Sequence, residues 1–78
     1  MRITSKKCTN HMEFIEEEYE VRVQIKRGKI ITALVDVQDG EICSWKGKAK
    51  SDQRIIYRLP QDQKDKLDKL IEEMCIDE

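Results

Sequence analysis

Apolar residues alternate with charged ones through the first half of the chain and recur at helical spacing only near its end. Tyr19, Val21, Val23 and Ile25 share one face of an extended segment, while Glu18, Glu20, Arg22 and Gln24 share the other. That period of two marks a strand with one buried side. Lys26-Arg27-Gly28-Lys29 follows as a turn in which Gly28 can take positive φ. Ile30–Val37 predicts a second strand, apolar on both faces at Ile30, Ile31, Leu34 and Val35, and therefore the central one. Gln38-Asp39-Gly40 predicts a second hairpin turn, Glu41–Trp45 a third short strand, and Lys46–Gln53 a polar loop containing Gly47.

Arg54–Leu59 alternates and is rich in β-branched and aromatic residues, which predicts a fourth strand. Pro60 then has a φ suited to a first helical turn, and Asp62 and Asp65 sit near the positive end of a helix dipole. Leu67, Leu70, Ile71, Met74 and Cys75 complete one apolar stripe. Residues 1–11 are polar and aperiodic and read as a flexible arm; Met12–Glu18 reads as extended, with a Glu-rich helical turn as the competing assignment.

The expected fold is therefore α+β: one domain over residues 1–78, a small antiparallel β-meander of three to four strands with one C-terminal amphipathic helix packed on one face. Its expected core is Val21, Val23, Ile25, Ile31, Ala33, Val35, Ile55, Tyr57, Leu59, Leu67, Leu70, Ile71 and Met74. Because Ile30–Val35 is apolar on both sides, the pattern does not choose which sheet face the helix covers.

Composition narrows the function more than it defines it. At 78 residues and 38% apolar content, the chain supports one thin core and no deep cleft. Its 15 basic and 16 acidic residues nearly cancel, which argues against a uniformly basic polyanion binder but not against a local patch. No apolar run approaches the ~20 residues that span a bilayer, and no signal-peptide pattern opens the chain. Three widely spaced cysteines do not form a disulfide framework. A cytoplasmic protein is the resulting expectation, with no membrane partner.

Charge placement is the best functional clue. Alternate turns of a meander lie at one end of the sheet, so Lys26, Arg27 and Lys29 should gather with Lys46, Lys48 and Lys50, near Trp45. Such a rim could hold phosphates, with Trp45 or Tyr57 available to stack on a base. The plainer reading is that lysines solvate hairpin tips and protect sheet edges. Asp36, Asp39 and Glu41 should collect at the opposite end. Five glutamates, Glu13, Glu16, Glu17, Glu18 and Glu20, could present carboxylates to a basic partner, or simply keep an edge strand soluble.

Catalytic and metal chemistry find little footing. Cys8-x-x-His11 with Cys43 and Cys75 would make a Cys3His set, but structural zinc sites supply ligands as two close pairs and only one pair is close here. His11 falls in the expected arm, a poor place to hold nucleophile–base geometry. The three glycines are isolated and form no phosphate loop. No cofactor, no metal and no enzymatic activity are expected.

Arg54-Ile-Ile-Tyr-Arg-Leu-Pro60 running into Leu67-Asp-Lys-Leu70 resembles the strand and first helix of ribbon-helix-helix DNA-binding proteins. The resemblance implies that Arg54, Ile56 and Arg58 face outward and read bases. It covers about 20 residues, supplies no second helix, and leaves three upstream strands that the family lacks. It therefore supports only a nucleic-acid alternative. The leading expectation is a small protein-interaction module that modulates or inhibits a larger assembly, presenting Glu13, Glu16, Glu17, Glu18 and Glu20. The alternative is a nucleic-acid binder using Lys26, Arg27, Lys29, Trp45, Lys46, Lys48 and Lys50. The uncovered sheet face also leaves room for a homodimer.

Overall fold

The computed structural model describes residues 1–11 and 16–74. Four strands, β1 (Arg2–His11), β2 (Glu16–Lys26), β3 (Lys29–Gln38) and β4 (Glu41–Gly47), are followed by α1 (Lys50–Arg58) and α2 (Gln61–Glu72). The strands form one antiparallel sheet in the order β1-β2-β3-β4, so the α+β meander with a C-terminal helical cover is the architecture. Asp39 and Gly40 take φ values of 53° and 76°, the doubly positive pattern of a tight primed hairpin turn.

Tyr19, Val21, Val23 and Ile25 from β2 meet Ile31, Ala33, Val35 and Val37 from β3 on one sheet face, and Leu67 and Ile71 of α2, with Met74 just past its end, close over them. All eleven are buried, with Ile3, Ile42, Trp45, Ile55, Ile56, Leu59 and Leu70 packed partly against them. The helices thus choose the Val21 face. Ile30 on the opposite face remains 54% exposed.

Several expectations are corrected. Residues 1–11 are not a flexible arm, because Arg2–His11 is a full edge strand along β2. Its register shifts between Ile3 and Ser5 and between Cys8 and Asn10. Each irregularity breaks the period-two pattern, which is why the segment looks aperiodic. Arg54–Leu59 is not the fourth strand: α1 spans Lys50–Arg58, and two helices follow the sheet instead of one. The adjacent Ile55 and Ile56 gave the strand signal, but with Leu59 they lie within one helical turn and pack against the core. With that strand goes the resemblance to ribbon-helix-helix proteins. Tyr57, expected in the core, is 81% exposed, while Ile55, Leu59 and Leu70 are only half-buried. Cys75, expected to end the helical stripe, lies outside the described residues.

Local chemistry explains where α1 begins. Asp52, in the helix's first turn, accepts from the Ala49 N–H at 3.1 Å through Oδ2 and from the Thr32 N–H of β3 at 3.3 Å through Oδ1. One carboxylate therefore caps the helix and ties it to the sheet. Lys48 N–H donates to the Thr32 carbonyl at 2.9 Å, so β3 holds the connection on both sides of one residue. Gly47 lets the helix close in, because a Cβ there would lie 2.7 Å from the Gln53 nitrogen. At Pro60 the chain has no N–H to continue α1, and α2 starts in its place.

Candidate anion-binding site

The β2–β3 hairpin carries Lys26 and Lys29 in register across its turn. Arg54 and Arg58 stand one helical turn apart, so they share a side of α1. Because Asp52 fixes the start of α1 on β3, that side is brought against the hairpin. The result is a groove of about 390 Å³ lined by Lys26, Lys29, Arg54 and Arg58, with Ile25, Ile55, Leu59, Pro60 and Gln63 completing it. Among the described residues, no acidic one lines it. Among the described residues, none of the four cationic side chains makes a hydrogen bond or ion pair. Pro60 and Gln63 place the positive end of α2 at the same groove.

The opposite end is acidic. Glu41 and Glu72 line a shallow depression with Gly40, Ile42 and Met74, and no cation among the described residues joins them. Asp36 and Asp39 belong to the same end of the β3–β4 hairpin. A chain of net charge -1 is thereby separated into two poles.

The sequence-predicted cations divide between two faces. Lys26 and Lys29 line the groove, and Arg27 is exposed at the hairpin tip. Lys50 opens α1 and lines a neighbouring groove of about 610 Å³. Lys46 pairs in register with Leu34 on the uncovered sheet face. Lys48 is engaged with Glu20 at 3.0 Å. Trp45 is half-buried on the helical side, where its indole N–H donates to Asp68 at 2.9 Å. Arg54 and Arg58 were outside the predicted basic rim. Their i, i+4 spacing is the signal that places them together, and it is readable only once the segment is known to be helical.

The glutamates do not form one row. Glu17 pairs with Val37 on the helix-covered side, and the Cys8 thiol donates to its Oε2 at 3.9 Å. Glu18 and Glu20 alternate onto the other face, on an interior strand. Glu16 pairs in register with Gln38, and Glu13 lies outside the described residues.

Among the described residues, no group of three or more His, Cys, Asp or Glu side chains is placed to hold a metal ion. Among the described residues, no helix is long and apolar enough to cross a membrane. Comparison with protein-family models, with curated proteins and with solved structures gives no significant match in any of the three.

Proposed function

We propose that the chain is a non-enzymatic binding module whose basic groove takes the phosphate backbone of a nucleic acid. The observation carrying this is the convergence of Lys26, Lys29, Arg54 and Arg58 on one groove that no acidic residue lines among those described. Uncompensated cations repel one another, and an incoming polyanion removes that repulsion while releasing its own counterions. The acidic pole opposite then orients the molecule, with the hairpin end leading toward the polyanion.

Anisotropy titration of a labelled oligonucleotide at several salt concentrations tests the proposal. Four phosphate contacts give a log–log slope of about -2.8 on a single strand or -3.6 on a duplex. Between 50 and 200 mM salt, affinity should then fall about 50- to 150-fold. The double variant Arg54→Ser/Arg58→Ser should halve the slope and reduce that loss to about 7- to 12-fold. Absence of binding at low salt, or an unchanged slope in the variant, refutes it.

A protein-interaction or inhibitory role is the second reading. Glu18 and Glu20 share the uncovered sheet face with half-exposed Ile30, and β1 presents a free edge. Its test is retention of one dominant protein partner after nuclease treatment of a lysate, lost on charge reversal at Glu18 and Glu20. Retention unaffected by that reversal removes this face from consideration.

A further inference from the structure

Tyr57 does not pack where the neighbouring isoleucines do. Of the described aromatic rings, Tyr19 is buried at 4%, Trp45 is half-buried and bonded to Asp68, and Tyr57 is 81% exposed. A ring of this size ordinarily buries much of its area and supplies much of a small core's energy. Here it adds almost nothing to the fold.

Its surroundings are specific. Lys64 of α2 places its ammonium 5.1 Å from the ring centroid, over one face. The ring lines the second groove with Lys50, Gln53, Arg54, Ile56 and Lys64, again with no acidic residue among those described. Arg54 lines both grooves, so the aromatic groove continues directly from the anion-binding one. Each has a volume in the ~300–1,000 Å³ range of small-ligand sites. A cation held on one side of a ring and solvent on the other leaves one π-face for a flat partner.

We infer that the nucleic acid is single-stranded, with one base stacked on the free face of Tyr57 while the flanking phosphates lie against Arg54 and the hairpin lysines. The inference rests on the phosphate-binding reading above and adds the substrate class to it. Paired bases in a duplex are already stacked on both sides and present only their edges, so a surface ring cannot reach their faces. An unpaired base can rotate onto the ring, and stacking of this kind tolerates any base.

The discriminating probes are one labelled oligonucleotide as a single strand, the same sequence as a duplex, and a single strand of equal length with abasic sites throughout. The abasic strand keeps every phosphate and removes every π-face. Wild-type protein should bind the single strand about 5- to 150-fold more tightly than the abasic strand, the range set by one stacked base. Tyr57→Ser should abolish that ratio and Tyr57→Phe should keep it, with both variants unfolding at the wild-type temperature. DNA and RNA versions of the single strand separate the two sources of the same chemistry. Equal binding of base-bearing and abasic strands, with a steep salt slope on both, overturns the stacking inference and leaves the basic groove standing. No binding of any probe at low salt overturns both.

Discussion

Replacing Gly47 with alanine should force α1 away from the sheet and weaken fold and groove together. An added Cβ would lie 2.7 Å from the Gln53 nitrogen, 3.0 Å from the Asp52 carbonyl carbon and 3.1 Å from the Asp52 Cβ. Two of those three atoms are helix backbone, which cannot swing aside as a flexible side chain would. Ordinary non-bonded contact between heavy atoms is ~3.5–4.0 Å, so the first turn of α1 must retreat by roughly 0.5–1 Å. The Thr32 N–H bond to Asp52 is already 3.3 Å long, and such a retreat breaks it. Overpacking of this kind costs about 1–3 kcal/mol and the lost hydrogen bond about 0.5–1.5 kcal/mol more. A domain of this size has only about 3–5 kcal/mol in reserve, and the variant should melt about 6 °C lower at the least. Thermal unfolding read by far-UV circular dichroism and by Trp45 fluorescence measures the shift. Gly40 is the control: a Cβ there meets nothing within 4 Å, but its φ of 76° penalises alanine. Asparagine, which tolerates that φ, should recover stability at Gly40 and none at Gly47. A Gly47→Ala midpoint within about 2 °C of wild type would refute the close-approach argument.

Leu67→Ala removes a fully buried side chain beneath α2 and should cost about 2–5 kcal/mol, enough to leave much of the chain unfolded at ambient temperature by urea titration. A loss under ~1 kcal/mol would mean that α2 is not seated on the β2–β3 face. Lys48→Ser should behave differently from the arginine variants. Its ammonium is committed to Glu20 at 3.0 Å on a half-exposed surface, so stability should change by about 0.2–1 kcal/mol and the salt slope for nucleic acid not at all. A slope reduced as far as in Arg54→Ser/Arg58→Ser would place Lys48 in the binding surface.

The strands that alternate cleanly were legible from the residues alone. Val21, Val23 and Ile25 on one side of Glu20, Arg22 and Gln24 allow one assignment, since a strand's side chains alternate by geometry. Asp39-Gly40 specified its turn because few residue pairs accept positive φ at both positions. The α2 stripe of Leu67, Leu70 and Ile71 was readable for the same kind of reason, a period set by the helix itself. Most of the core followed from these three elements.

Arg54–Leu59 shows what local pattern does not settle. Ile-Ile-Tyr has strand propensity, yet the segment is helical because Asp52 caps it against Thr32, Gly47 admits it, and Ile55, Ile56 and Leu59 find apolar partners across the space between elements. β1 was hidden for the converse reason: it is ordered by pairing with β2, across separations from 22 residues at Arg2–Gln24 to 6 at His11–Glu17, and two register shifts erase the local alternation. The candidate site inherited both difficulties. Lys26 and Lys29 were visible as a basic turn, but Arg54 and Arg58 join them only after a helix has been laid against that turn. The sequence alone therefore determined the period of β2 and α2, the turn at Asp39-Gly40 and the sign of each charge. Tertiary structure decided which sheet face was covered, what Arg54–Arg58 became, and which cations converge, because those outcomes depend on contacts between residues far apart in the chain, where local propensity is outweighed by burial and packing.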